Sequence, residues 1–140
     1  MIKSNNLKKI INRVKTASAE LLNLSAKQRS AVLLALTKVI SANQQAIIKA
    51  NLADINAARK NNKAESFIER LSLDEPKINA LADSLKQIAA QPDRLFETIK
   101  QWRRPRGFKI KTVIFPLGLI AMLYESRPNV PIDAFALCFK

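Results

Sequence analysis

Histidine is absent from this 140-residue sequence, and there are only one cysteine and two glycines. Without a histidine, no serine has an imidazole base, which excludes a conventional catalytic triad. A single cysteine excludes an internal disulfide and, with no histidine beside it, argues against a zinc site. Gly107 and Gly118 stand apart from each other, so the sequence contains no glycine-rich loop for holding a phosphate.

Acidic residues are also few, with 11 Asp and Glu against 24 Lys and Arg, which gives a formal net charge of +13. Such a charge attracts phosphates, nucleic acid and acidic membrane surfaces non-specifically. Most basic residues are spread along helical polar faces, and only Trp102–Arg106 forms a dense cluster. We favour solvated helix faces as the explanation and do not expect nucleic-acid binding, which stays as the alternative.

The apolar stretch at 113–124 is the longest, but Pro116 and Gly118 interrupt it and it is too short to cross a bilayer. The first nine residues are polar and basic, with no apolar core of signal-peptide length behind them. We therefore expect a soluble, cytoplasmic protein without a membrane segment.

Apolar residues at helical spacing predict that most of the first hundred residues are helical. Ser25 and Gln28 form a capping box that predicts the start of the second helix, and Asn43 is a candidate cap for the third. Asp74, with Pro76 just inside, predicts the start of a long helix that ends before Pro92. The predicted apolar faces run from Leu7 to Leu22, Val32 to Ile40, Ile47 to Ile55 and Ile78 to Ala89, and Glu65–Leu71 is a further short helix.

The pattern changes after residue 104. Phe108–Phe115 is rich in β-branched residues and follows a Pro105–Gly107 turn, which predicts a strand. Leu119–Tyr124 is continuously apolar, as in a strand buried on both faces of a parallel sheet. A loop and an apolar helix at 132–140 follow, so the segment has the pattern of an incomplete βαβ unit. We expect a mostly α-helical fragment with two C-terminal strands, lacking the rest of that unit.

The loop after the second predicted strand contains the candidate functional residues. Ligands bind at the carboxyl ends of strands in open α/β sheets. Arg127 suits a carboxylate or phosphate, and the Asn129 amide suits a developing oxyanion. A capped loop with Asn129 in a turn explains the same residues, and the sequence leaves both interpretations open. We expect Cys138 to be a small buried core thiol, since it lies among apolar residues at helical spacing.

One combination of residues is specific: a Pro-Leu-Gly segment before the apolar run, a Tyr-Glu-Ser-Arg-Pro-Asn-Val loop after it, and an Ala-Leu-Cys segment in the next helix. These are Phe115–Ile120, Tyr124–Val130 and Ala136–Cys138, with Asp133 and Ala134 between. The combination resembles the γ-glutamyl phosphate reductase family. Weaker similarities lie at Ala50-Asn51 with Asp54, at Glu69–Leu73, and at Arg104-Pro105 with Gly107. The resemblance spans essentially the whole of this chain. It would cover only about the first third of a full-length family member.

The resemblance implies an α/β fold of the aldehyde dehydrogenase type and NADPH-dependent reduction of γ-glutamyl phosphate to glutamate 5-semialdehyde in proline biosynthesis. It implies a catalytic cysteine beyond this sequence, Asn129 as the oxyanion donor, and Arg127 as a weaker candidate for substrate contact. Cys138 matches a helix cysteine of the cofactor domain. By the resemblance, residues 1–103 are an N-terminal helical layer, 104–117 an oligomerisation strand, and 118–140 the start of an incomplete NADP-binding domain.

The sequence departs from the family pattern at several positions. Ala121 replaces a usual glycine, Ile114 a usual arginine and Arg106 a usual asparagine, and the 92–96 loop lacks a proline and a glycine. Each change is tolerable alone, but together with the early end of the sequence they lead us to expect a truncated, split or degenerate gene. We expect no activity and no NADP binding from this chain alone, and a possible homo-oligomer through residues 108–115. The alternative is a repurposed basic helical protein that binds nucleic acid or an oligomerisation partner.

Overall fold

A computed structural model describes residues 4–140, with side chains from residue 6 onward. Six helices and two strands occur in this part of the chain. They are α1 (Ser4–Leu21), α2 (Ala26–Ala42), α3 (Gln44–Lys60), α4 (Glu65–Leu71), α5 (Glu75–Ala90), β1 (Thr98–Arg103), β2 (Lys109–Val113) and α6 (Val130–Phe139). The chain forms two compact units, one of Ser25–Gln91 with Ala121–Lys140, the other of the residues before Ser25 with Pro92–Ile120.

Helices α2 and α5 form the core of the larger unit. Leu33 of α2 packs with Ile78 and Leu85 of α5, and all three side chains are almost completely inaccessible to water. Burying three such side chains contributes on the order of 5–9 kcal/mol of transfer free energy. The structure confirms the apolar face predicted for α5, whose members are all buried. On α2 it confirms Leu33 and Ile40, whereas Val32 and Val39 of the predicted face are exposed.

Capping side chains fix where these two helices begin. The Gln28 amide donates to the Ser25 hydroxyl while the Gln28 side chain accepts from the Ser25 amide at 2.8 Å, which confirms the predicted capping box. At α5 the Asp74 carboxylate accepts from the Lys77 amide at 2.9 Å. Asn43 does occupy the N-cap position of α3 as predicted, but its side chain donates backward to the Val39 carbonyl and makes no cap bond to α3.

The buried side chain of Asn51 ties α3 to the segment between α4 and α5. Its Nδ2 donates to the Leu71 carbonyl at 2.8 Å, and its Oδ1 accepts from the Leu73 amide at 2.7 Å. One amide side chain thus replaces the backbone partners that these groups lack once α4 has ended. The position of α4 relative to α5 therefore depends on this residue.

Helix α6 packs on the α2–α5 core through Ala136, which is fully buried, with Ile132 and Phe139 beside it. These positions are four and three residues apart, so they lie on one helix face. Cys138 lies about 200° around the helix from Ala136 and is exposed. The prediction that Cys138 is a buried core thiol is therefore wrong.

Helix α1 belongs to the smaller unit and confirms the helix predicted over these residues. Its apolar face is largely open, however, with five large side chains each between 41% and 50% exposed: Leu7, Ile10, Ile11, Val14 and Leu21. Periodicity therefore predicted the helix correctly, although this face is not part of a core in the described residues.

Strands β1 and β2 pair as an antiparallel hairpin, with Trp102 opposite Ile110 and an irregularity near Lys100. Backbone bonds between Phe96 and Ile114 and between Ile114 and Glu97 extend the pairing. Strand β1 falls inside the 1–103 segment that we expected to be helical, so that expectation fails for its last residues. The sequence of β1 lacks clear alternation, and its partner across the turn determines its structure.

A salt bridge lies just before the hairpin. The Arg94 Nε donates to the Glu97 carboxylate at 2.7 Å. This hydrogen bond, together with the charge of Arg94, holds the pKa of Glu97 below its usual value. Both side chains are well exposed, so the pair's small contribution to stability is screened by solvent and is lost as Glu97 becomes protonated in acid.

The segment predicted as a buried parallel strand, Leu119–Tyr124, is not a strand. The described chain contains one sheet, made of β1 and β2 alone. A strand needs a neighbouring strand to accept and donate its backbone hydrogen bonds, and no such neighbour lies beside 119–124 in residues 4–140. The helix of the expected βαβ unit does form, as α6, and starts two residues earlier than predicted.

Within residues 4–140, no single helix combines the length and apolar character needed to cross a membrane. Only α2 and α3 taken together, bent by 68° at their junction, meet those requirements.

Replacing Asn51 with alanine should lower the free energy of unfolding by about 2–4 kcal/mol, because the Leu71 carbonyl and the Leu73 amide both lose a partner inside the protein. Urea unfolding measures the change. Asn61→Ala is the matched control, since its exposed side chain donates to the Ala57 carbonyl at 2.9 Å, and it should cost less than about 1 kcal/mol. Equal losses for the two variants would contradict the role assigned to Asn51.

A second prediction concerns Arg106, which has a φ of +77° in the turn between β1 and β2. The Gly107 amide donates to the Arg104 carbonyl, so Arg106 is the third residue of a turn with proline second. That position favours glycine or asparagine, and other side chains cost about 1 kcal/mol there. Arg106→Gly should therefore slow amide hydrogen exchange in the hairpin about fivefold.

Arg106→Asn should give a smaller slowing in the same exchange experiment. Arg106→Gln removes the charge but keeps a Cβ that the conformation disfavours, so it should give no slowing. If Arg106→Gln slows exchange as much as Arg106→Gly, charge rather than backbone conformation governs the turn.

Candidate functional site

The loop that carries Arg127 and Asn129 is shaped by two local features. Ser126 has a φ of +55°, which turns the chain sharply after Glu125. The Val130 amide then donates to the Arg127 carbonyl, and α6 begins with Pro131 in its first turn. Proline fits there because its missing N–H would have no partner inside the helix. The loop therefore delivers Arg127 and Asn129 to the amino end of α6.

A cavity of about 430 Å³ lies beside this loop, within the larger unit. Helices α4, α5 and α6, the loop, and the segment between α4 and α5 all contribute to its wall. Five charged side chains of both signs line it: Glu69, Arg70, Lys77, Arg127 and Asp133. The structure thus brings both sequence-predicted site residues, Arg127 and Asn129, to one cavity.

Asn129 occupies the position directly before α6 and is half-buried. Its Nδ2 donates to the Asp133 carboxylate at 2.8 Å, and its backbone carbonyl accepts from the amides of Ile132 and Asp133. The side chain makes no cap bond to the helix. One of its two amide protons is therefore held by Asp133, which orients the side chain, and an amide group has a second proton for another acceptor.

The cations of the cavity differ in their surroundings. The Lys77 ammonium donates to the Ser72 carbonyl at 2.8 Å, which fixes its position near the start of α5. The guanidinium groups of Arg70 and Arg127 have no hydrogen-bond or ion-pair partner among the residues that the structure describes. These two groups are therefore available to an anionic ligand.

The sequence interpretation missed Arg70 and Lys77. Arg70 lies in the last turn of α4 and Lys77 in the first turn of α5, and the Asn51 bonds described above hold the intervening segment against α3. Their signal was present, because Glu69–Leu73 is one of the stretches with family similarity and lies directly before the Asp74 cap. A local pattern does not show that these residues face a loop fifty or more positions further along the chain.

Other chemically active residues lie elsewhere. Cys138 does not line the cavity and, as shown above, lies off the face by which α6 packs. The described residues contain no group of three or more Cys, Asp and Glu that is placed to hold a metal ion. The Trp102–Arg106 cluster lies on the hairpin of the smaller unit.

No protein-family model matches this chain. The γ-glutamyl phosphate reductase of Allorhizobium ampelinum is 44% identical over 128 residues, which cover 91% of this chain and 30% of that protein. The reductase of the same name from Geobacillus thermodenitrificans is 38% identical over 136 residues, covering 97% of this chain and 33% of that protein.

The chain is a relative of the γ-glutamyl phosphate reductases. Crystal structures of two such reductases have the same fold as this chain. The structure from Saccharomyces cerevisiae superposes with a TM-score of 0.90 at 26% identity, and the match covers 99% of this chain and 35% of the yeast chain. The structure from Thermotoga maritima gives a TM-score of 0.86 at 27% identity, and the match covers 91% of this chain and 31% of the Thermotoga chain. The resemblance read from the 124–130 loop is therefore confirmed.

The chain spans about 30% of the length of the curated reductases that it matches. Its fold, mostly helical with one antiparallel strand pair, is the fold of the corresponding part of a γ-glutamyl phosphate reductase. The family's α/β class is confirmed in that sense, although the strand pair that forms differs from the one predicted.

Proposed function

We propose that this chain serves the NADPH-dependent reduction of γ-glutamyl phosphate to glutamate 5-semialdehyde, an oxidoreductase step of proline biosynthesis. The observation that carries the proposal is the identity of 44% over 128 residues with a γ-glutamyl phosphate reductase. The structural match to the yeast reductase covers 99% of the chain and so includes the Arg127–Asn129 loop. No finding favours the alternative of a nucleic-acid-binding protein.

In this proposal Asn129 donates its second amide proton to the carbonyl oxygen of the substrate. Attack by a thiolate on an acyl phosphate places negative charge on that oxygen, and a donor fixed beforehand stabilises the charge best. The bond from Asn129 to Asp133, at 2.8 Å, supplies that orientation. Arg127 would hold a negative group of the same substrate.

The described residues do not fit the NADPH that the reaction needs. A dinucleotide binds at the carboxyl ends of parallel strands, usually with a glycine-rich loop against its phosphates. The larger unit contains no sheet among its described residues, and the two glycines of the chain are isolated. We therefore propose that this chain alone neither binds NADP nor turns over, and that the nucleophile is not Cys138, which lies outside the cavity.

A cytoplasmic location belongs to the same proposal. It is supported by the single cysteine of the sequence, since a chain that forms no internal disulfide has no need of an oxidising compartment.

A chimera tests the catalytic proposal. In it, this chain replaces the matching 33% of the Geobacillus thermodenitrificans reductase. The chimera should oxidise glutamate 5-semialdehyde with phosphate and NADP, measured by NADPH absorbance. Asn129→Ala in the chimera should lower kcat about 100- to 1000-fold with little change in KM, as expected for a lost oxyanion donor.

Asn61→Ala is the matched control in the chimera, because it removes an exposed amide that does not line the cavity, and it should leave kcat unchanged. An Asn129→Ala effect confined to KM would contradict the oxyanion role. The 140-residue chain alone should give no NADPH. Turnover by that chain that disappears in Cys138→Ala would show that our assignment of the nucleophile is wrong.

We further propose that residues 108–115 join copies of the protein. Every residue of β2 is exposed, and β2 has a strand partner on one edge only in the described sheet. An unpaired edge presents backbone donors and acceptors to another strand. The exposed side chains of Ile110 and Val113 would add apolar contact area at such a junction.

Light scattering tests this association. The chain should form a dimer or larger species, and Thr112→Pro should shift it towards the monomer, because proline removes an N–H from the strand whichever edge that group serves. Thr112→Ala keeps the N–H and should associate like the original chain. A monomer at all concentrations, or equal association by both variants, would contradict the proposal.

A further inference from the structure

The cavity beside Arg127 carries a combination of charges that no single-sign ligand matches. Arg70, Lys77 and Arg127 provide three positive groups, whereas Glu69 and Asp133 provide two negative ones. Asp133 is partly satisfied by Asn129, and Lys77 by the Ser72 carbonyl. Arg70, Arg127 and Glu69 have no partner of this kind within the described part of the chain. Two unpaired cations and one unpaired anion therefore border the same space.

The remaining residues of the cavity wall limit further the kinds of ligand that it can bind. Leu73, Ala80, Leu81 and Pro128 supply an apolar surface, while Ser72 and Ser84 add hydroxyl groups. No aromatic ring lines the cavity to stack on a nucleotide base. The volume of about 430 Å³ is that of a small-molecule site.

Inorganic phosphate fits this lining poorly. A phosphate dianion would gain from Arg70, but the adjacent Glu69 carboxylate would repel it at close range. An amino acid has the required set of groups, since its carboxylate suits a guanidinium, its ammonium suits a carboxylate, and its methylene groups suit Leu81 and Pro128.

We infer that this cavity binds the amino-acid headgroup of a glutamate-like substrate, with Arg70 holding the α-carboxylate and Glu69 the α-ammonium. This inference rests on the proposed function and assigns its specificity to α4. Arg127 then faces the other end of the same molecule, near Asn129. Arg70 and Glu69 are specificity residues here, and neither touches the reacting carbonyl.

The experiment is an NMR titration of the 140-residue chain with L-glutamate. A ligand of this size should bind with a dissociation constant on the order of 1–10 mM. The amide signals of residues 69–73, 77 and 127–133 should move, and those of the β1–β2 hairpin should not. Glutarate lacks the ammonium and γ-aminobutyrate lacks the α-carboxylate, so each should bind about tenfold more weakly. Phosphate should leave these signals unchanged.

Two charge-removing variants separate the roles. Arg70→Gln should weaken L-glutamate about tenfold and leave γ-aminobutyrate unaffected, because that ligand has no α-carboxylate to lose. Glu69→Gln should weaken L-glutamate similarly and leave glutarate unaffected or slightly tighter. Lys86→Gln is the control, since Lys86 pairs with Asp83 on the exposed side of α5 and should change neither ligand.

Three results would overturn the inference: no shifts with L-glutamate, equal binding of phosphate, or equal loss of all ligands in both variants. These outcomes are distinct from failure of the proposed function. An active chimera with no glutamate binding at α4 would keep the reductase proposal and reject this site. An inactive chimera with the predicted ligand pattern would keep the site and reject the reaction.

Discussion

The packing of α2 against α5 is the interaction on which the larger unit depends. Leu33, Ile78 and Leu85 are almost completely inaccessible to water in the contact between these two helices. Helix α6 has its own fully buried residue, Ala136, in the same cluster, so it is held by a surface that exists only once α2 and α5 have met. Asn51 then sets the segment that leads into α5. The cavity wall depends on all of these contacts, because three helices and two connecting segments each supply part of it.

Local sequence signals predicted the helices well because the residues that start each helix act on backbone groups close to them in the sequence. Ser25 and Gln28 satisfy each other's backbone amides, and the Asp74 carboxylate accepts from the Lys77 amide beside Pro76, so these bonds form as expected. The same holds for α4, whose predicted bounds agree with the structure. Asn43 shows the limit of this reasoning, because a side chain that can cap the following helix can also bond back to the preceding one.

Signals that depend on distant partners were predicted less well. Strand β1 is mostly polar and takes its conformation from β2, whereas Leu119–Tyr124 has the composition of a strand but no neighbour to pair with in the described chain. Cys138 was placed in the core because its neighbours are apolar, yet α6 buries only one stripe, through Ile132, Ala136 and Phe139. Part of the site could be predicted from the sequence, because the loop motif identified Arg127 and Asn129. Arg70 and Lys77 could not, because they reach the cavity only through the packing of the helices.

The segment at 117–124 leaves apolar side chains and backbone groups open to other molecules. Leu117 is 90% exposed and Leu123 99% exposed, and the residues between them form no regular structure with satisfied backbone groups. Apolar segments of high β-propensity that are exposed in this way nucleate intermolecular β-structure. In this chain the stretch from Leu117 to Leu123 is therefore prone to pairing with strands of other molecules, whatever the stability of the helical core.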